Sequence, residues 1–471
     1  MKLKHHSLLF SIFLCLISCK NEVLKVKDTP SAYIIGEIAN PHNNYITILQ
    51  TNGNADTIFL DEQNQFQYKF DSAASDIYWI KHFSESQLFF LEPGDSLGIY
   101  LNTEEFDESL SFSGEGSEKN NLLINTFLED EYSVNFIKKS ESYPPKEFKK
   151  ISDSIYNNRI KELNRQHKKF KFSDNFYSFA KTSADYQYYF QNEQYVYLQN
   201  KYNRSNVFSN EFLSYRDSLN FNSKRFSKFY IYLRTLDTYV KNITAEQCVT
   251  TNSPDECYKE SKLTNLRAKL VTVDSVIKEQ SVKQRFIKRL GTEALLLSNT
   301  MENMMETMKL IHTVHPSVKN LDFFNNLADL QRSLFPGKSI SSFIIQDIGG
   351  KKEPITNRVK SKTVIYFWNN NFSQRLTSKH HKINQIRLEH PEYKFIAVNT
   401  DLIGFEDWTK LLDNYNYNRN TEVRLVDAPF EPQLYTDLIN KVIFIDEDGI
   451  IVSGDAILQD TNFEDKLDSF F

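Results

Sequence analysis

The hydrophobic period of this chain changes twice along its 471 residues, and each change demands a different kind of packing. From about Ser31 to Ser113 apolar and polar residues alternate. From Glu115 to about Leu334 the apolar residues recur at three- and four-residue intervals. Beyond Phe335 short, wholly apolar runs are interleaved with helical stretches. Side chains alternate between the two faces of a strand but return every 3.6 residues on a helix, so one pattern cannot bury itself in the other's geometry. The chain is also longer than the roughly 250–300 residues at which single cores stop growing. The expected fold class is therefore α+β and multidomain: an N-terminal antiparallel β-sandwich at 31–114, a central helical domain at 115–334 and an α/β domain at 335–471.

Within the first region YITILQ (Tyr45 to Gln50), DTIFLD (Asp56 to Asp61) and QFQYKF (Gln65 to Phe70) alternate, separated by turn formers. DIYWIKHF and SQLFFLEPGDSLGIYLN follow, the latter broken at Pro93-Gly94-Asp95. Many short strands at close spacing predict a small sandwich. In the second region Phe148, Ile151, Ile155, Ile160 and Leu163 share one helical face. Behind a Ser173 cap, Phe176, Phe179, Ser183, Tyr186 and Phe190 share another, and two further stripes run from Phe226 to Ile243 and from Leu263 to Ile277.

The last region opens with FPGKSISSFIIQDIGGKKEPI, a strand with a Gly-Gly turn, and SKTVIYFW, a run of buried-strand type. A helix with Leu376, Ile383 and Ile386 on one side ends before Pro391. YKFIAVNTD, a helix around FEDWTKLLDNY, the hairpin KVIFIDEDGIIVSG and a closing helix in NFEDKLDSFF complete it. The order βαβ, α, hairpin, α is thioredoxin-like. The lead LFPGKSISSFIIQDIGGKKEPI, the run KSKTVIYFW, and Asp446 and Gly449 in the hairpin resemble the TlpA-like thiol–disulfide oxidoreductases over about the last 135 residues. The β-region, through IIGEI, PGD and FSGEGSEKN, resembles the domain that precedes thioredoxin-like modules in many Bacteroidota lipoproteins.

The family's chemistry does not carry over with its pattern. Aligned from Phe367-Trp368, the two catalytic cysteine positions fall on Phe372 and Arg375, and no cysteine occurs after Cys257. In the family the helix N-terminus stabilises the first thiolate. Phe372 offers none, and Arg375 places a cation at the positive end of the dipole. The family's cis-proline position falls on Asn440, where a cis bond would cost about 2.5–4 kcal/mol, so a trans peptide is expected. The resemblance thus implies a retained fold with a degenerate active site.

At the other end, MKLKHHSLLFSIFLCLISCKNE places Lys2 and Lys4 before an apolar run and then Ser18-Cys19. The run is too short to span a bilayer as a helix and suits a signal peptide. LISC resembles a lipobox, with 1–18 as the removed signal, Cys19 as the lipidated residue and 19–30 as lipidated N-terminus and spacer. Acyl chains on Cys19 would anchor the protein to a membrane, the outer membrane by family resemblance, facing the periplasm. Cys248 and Cys257 bracket the turn-rich VTTNSPDE and form a candidate disulfide in that oxidising compartment; a surface redox pair is the functional alternative.

Two further clusters stand out in the sequence. Met301, Met304, Met305, Met308, His312 and His315 lie at helical spacing; core packing is the expectation, and Cu(I) binding by thioether and imidazole the alternative. Ser373 with His380 and His381 lacks an orienting acid, and both histidines are expected at exposed polar positions. No Walker loop, zinc-protease helix or dinucleotide fingerprint occurs. A net charge of −5 with both signs interspersed opposes a general nucleic-acid binder. The reading is a membrane-anchored lipoprotein with a non-redox binding module and a peptide or protein partner in the cell envelope. It assigns no catalytic residue, metal or cofactor. Its alternatives are residual redox activity through Cys248 and Cys257, and a copper-binding lipoprotein.

Overall fold

The computed structural model describes residues 31–470 apart from 72, 84, 141, 203–207, 260–261, 315–320, 371–372, 402 and 460–462. The expected lipidation site Cys19 and the whole of 1–30 lie outside them, as do Phe372 and His315.

The N-terminal strands are β1 (Ala32–Ala39), β2 (Tyr45–Gln50), β3 (Ala55–Phe59), β4 (Gln65–Phe70), β5 (Asp76–His82), β6 (Glu85–Leu91), β7 (Ser96–Asn102) and β8 (Ser111–Glu115), with the one-turn α1 (Phe106–Ser109) before β8. They form two four-stranded sheets, ordered β4-β1-β7-β8 and β3-β2-β5-β6. Ile34, Ile38, Ile46, Ile48, Ile80, Phe89 and Leu97 fill the space between them. One pairing departs from the antiparallel expectation: β1 and β7 run parallel, with Ile35 opposite Gly98. Alternation fixes which side chains face inward but says nothing of strand direction.

The PGD turn and the GEGSEKN segment meet in space. Asp95 Oδ2 accepts from the Glu92 amide at 2.7 Å, and Lys119 donates to Asp95 at 2.9 Å and to Glu92 at 2.7 Å. Gly116, at φ +90°, lies where a Cβ would sit 2.4 Å from Asp95, so the approach requires glycine.

The central region carries α2 (Ser117–Ser140), α3 (Pro145–Phe170), α4 (Asp174–Lys201), the short α5 (Asn210–Leu213), α6 (Tyr230–Cys248), the short α7 (Pro254–Cys257), α8 (Leu263–Val276), α9 (Gln280–Leu296), α10 (Met301–Val314) and α11 (Leu321–Ser333). Helix α3 begins with Pro145, whose missing N–H costs nothing there, and stops at Lys171, which is left-handed. Ser173 caps α4, its Oγ accepting from Phe176 N at 3.0 Å, and donates at 2.6 Å to Glu92 of the preceding region. Phe90 of β6 stacks on Phe179 and meets Phe176 edge-on, with centroids 5.4 and 5.3 Å away.

The C-terminal region runs β9 (Ile344–Gln346), β10 (Lys352–Pro354), β11 (Thr363–Trp368), α12 (Ser373–Glu389), β12 (Lys394–Asn399), α13 (Phe405–Asn414), β13 (Glu422–Asp427), α14 (Pro432–Tyr435), β14 (Lys441–Ile445), β15 (Ile451–Ile457) and α15 (Phe463–Phe470). Its seven-stranded sheet is ordered β10-β9-β13-β12-β11-β14-β15. Strands β11, β12 and β13 are parallel, and β14 and β15 return antiparallel. This is a thioredoxin-like arrangement with one strand, β13, that the sequence pattern did not reveal; EVRLVD is no wholly apolar run, and its alternation breaks at Leu425-Val426. One face of the sheet packs Val364, Tyr366, Trp368 and Phe444 against Ile383 and Ile386 of α12, Trp408 of α13 and Leu467 of α15. The opposite face, with Ile365, Phe367, Ile396, Val398 and Ile443, shares one apolar cluster with α9 and α11. At Gly454 a Cβ would stand 2.0 Å from the Leu334 carbonyl, so the chain after α11 rests directly on β15.

Candidate functional site

The corner between β11 and α12 is where a thioredoxin-type enzyme would hold its thiols. Helix α12 begins at Ser373, so Arg375 falls in its first turn, but its side chain is not described. Among the described residues all peptide bonds are trans, including that before Asn440, the exposed last residue of the 3₁₀ turn Thr436–Asn440.

Beneath the corner lies a buried polar cluster, closed off from solvent. Helix α12 turns Lys379, His380, Ile383 and Ile386 inward. His380 is buried, which corrects the expectation of an exposed position; His381 is exposed. Adjacent positions on a helix point about 100° apart, and only one of the pair can face the sheet. His380 Nε2 lies 3.3 Å from Glu422 Oε1, and Trp368 Nε1 donates to Glu422 Oε2 at 2.8 Å. The imidazole stacks on Tyr417 at 3.7 Å between centroids and meets Trp368 edge-on. Burial pushes the Glu422 carboxyl above the usual carboxylate range, with His380 and Trp368 pulling the other way. Lys379 Nζ donates to Phe367 O at 3.0 Å, and burial lowers its pKa to about 7.

At the rim, Asp401 accepts from the Asn370 amide at 3.0 and 2.9 Å and from Asn399 Nδ2 at 2.8 Å; burial nevertheless raises its carboxyl. Tyr415 donates to Asn370 Oδ1 at 3.1 Å, and Asn369 Nδ2 donates to Thr436 O at 3.2 Å. Asn370, just past the end of β11, is thus held by Asp401 and Tyr415.

Sequence reasoning missed Glu422, Tyr417 and Asp401. Glu422 opens the unrecognised β13, and a glutamate heading a short alternating run is the only local signal it left. The Ser373–His380 pairing is not assembled: seven residues of helix advance about 10 Å, and the imidazole is engaged on the sheet side. The cluster contains an acid, a base and an amine, but Glu422, His380 and Lys379 are only 2%, 5% and 7% exposed, so none of the three is open to a substrate.

Cys248 and Cys257 form a disulfide with Cα atoms 5.6 Å apart. Cys257 is buried, and Cys248 is the last residue of α6, where helix carbonyls disfavour a thiolate. A cleft of about 390 Å³ lies between α2, α3 and α4, elements that take no part in the corner. Of the helical methionines only Met304 meets the core-filling expectation fully; Met308 leans on the core, and Met301 and Met305 face solvent.

No protein-family model matches the chain, and no curated protein matches it. Among solved structures, the thioredoxin domain of a thiol-disulfide oxidoreductase from Bacteroides vulgatus is similar at 17% identity, covering 29% of this chain and 99% of that one, with a TM-score of 0.22. A thiol-disulfide oxidoreductase from Bacteroides fragilis matches at 14% identity over 28% of this chain and 100% of its own, TM-score 0.23. A thiol:disulfide interchange protein from Bacteroides sp. matches at 16% over 29% and 91%, TM-score 0.22. The thioredoxin-like description of the C-terminal region stands on its strand order and register.

Proposed function

We propose that this chain is an extracytoplasmic lipoprotein, anchored through Cys19 after removal of 1–18, whose thioredoxin-like region is a non-redox binding module. The observation that carries the reading is the thioredoxin-like strand order kept around a corner with no cysteine, in a chain with none after Cys257. Without a thiolate the site has no group to attack a disulfide. The buried cluster beneath it holds its shape without offering a reactive atom to solvent. Exposed Asn440 and half-buried Asn370 remain as a binding edge, and an envelope peptide or protein segment is the occupant we assign to it.

Redox activity through Cys248 and Cys257 has against it the burial of Cys257 and the helix C-terminal position of Cys248. No described helix is long and apolar enough to cross a membrane, so lipid on Cys19 is the anchor in this reading.

The test is reduction of a mixed-disulfide substrate by the detergent-solubilised full chain, beside a Cys248→Ser, Cys257→Ser variant. Neither protein is expected to turn over. Turnover by the parent alone would place a redox centre in the helical region and overturn the proposal.

A further inference from the structure

Four of the chain's five methionines stand within eight residues of α10, and the helix does not bury them together. Met304, Thr307, Ile311 and Val314 make its buried face. Met301 is 46% exposed and Met305 65% exposed, Met308 is half-buried and His312 is exposed. At about 100° per residue, Met301, Met305, Met308 and His312 fall within an arc of about 60°. They form a continuous stripe along the border of the buried face. Met308 leans on the core, but thioethers turned towards water do little for it, which leaves Met301 and Met305 without a packing explanation.

We propose that Met305, Met308 and His312, with Met301 one turn before them, form a Cu(I) site. Thioether sulfur and imidazole nitrogen are the soft and borderline donors this cation selects, whereas magnesium and calcium require oxygen. Residues three and four apart on a helix hold their Cβ atoms about 5–6 Å from one another. The long, unbranched methionine arm lets two sulfurs close on one ion from that spacing. Harder donors are kept aside: Glu302 lies off the stripe, and Glu306 is paired with Arg267 at 2.6 Å. Among the described residues no group of three or more His, Cys, Asp or Glu offers a competing metal site. The site is independent of the C-terminal corner and stands whether or not that corner binds a partner.

The experiment uses the full chain in detergent with Cys15→Ser and Cys19→Ser, so that no free thiol competes. Cu(I) is titrated anaerobically against a chromophoric Cu(I) chelator. The expected result is one equivalent bound, weakened at least ~10-fold by Met305→Leu with Met308→Leu and also by His312→Ala. Thermal unfolding should be little changed, because Met305 and His312 are exposed and leucine keeps the apolar contact of half-buried Met308. Silver(I), a redox-inert soft cation, should compete for the same equivalent. No binding, an affinity that the double substitution leaves unchanged, or Zn(II) bound as tightly as Cu(I) would each overturn the assignment.

Discussion

The two faces of the C-terminal sheet are both apolar, yet they are covered in different ways. One face packs against α12, α13 and α15, which belong to the same stretch of chain. The other shares its cluster with α9 and α11 of the central region; α14 and the segment before β9 supply only a part. Hydrogen bonds seal that second seam. Lys441 Nζ, fully buried on β14, donates to Leu296 O and to Gln331 Oε1, the latter at 2.6 Å, and Gln331 Nε2 donates to Ser298 O at 2.8 Å. Asn299 reaches Asp455 of β15 at 3.0 Å. A thioredoxin-like sheet is thus recognisable as a unit of chain without being a self-sufficient unit of packing.

The largest effect should come from excision. Residues 335–471 alone would strip the α9 and α11 layer from the face of Ile365, Phe367, Ile396, Val398 and Ile443, exposing apolar surface of the kind that drives association. We expect aggregates or a molten species by size-exclusion chromatography and near-ultraviolet circular dichroism. A monomer that unfolds cooperatively would break the contrast between the faces.

Single substitutions sharpen it. Phe324→Ala in α11 should cost about 3–5 kcal/mol and Leu467→Ala in α15 about 2–5 kcal/mol. The informative readout is hydrogen exchange. Phe324→Ala is expected to deprotect β11 and β14 together with α9, whereas Leu467→Ala should leave α9 protected. Unchanged protection of β11 and β14 in Phe324→Ala would mean that the central region merely touches the sheet.

The smallest effect is a pH slope. Burial lowers Lys441 to about 7, against about 10.4 for an unfolded lysine. Between those values the unfolded chain binds a proton that the native chain lacks, so stability rises with pH. That gain is fully present above about pH 10.4 and is lost as pH falls towards 7. The slope is at most about 1.4 kcal/mol per pH unit for one amine. Lys379, on the other face, has the same sign. Lys441→Met should therefore remove roughly half of the lysine slope in denaturant titrations between pH 7 and 10. An unaltered slope would show that the Lys441 ammonium stays charged in the seam.

The sequence carried some of this plainly. Period two gave the sandwich strands, the helical stripes gave the long helices, and Ser173 marked a helix start through its own hydroxyl. The loss of the thiols was legible because it is a covalent fact: no packing can supply a cysteine that the chain lacks. Other features were decided only in three dimensions. Glu422 meets Trp368 across 54 residues of chain, the parallel pairing of β1 and β7 follows from how the chain returns, and His380 rather than His381 faces the sheet because of how α12 is rotated. Which face of the sheet receives a borrowed layer, and which methionines of α10 are left in water, were likewise settled by neighbours. Periodicity records that a face must be buried, since it depends on side-chain direction along one element. It does not record what will bury that face, because the hydrophobic effect is non-directional and any apolar surface of matching shape will serve.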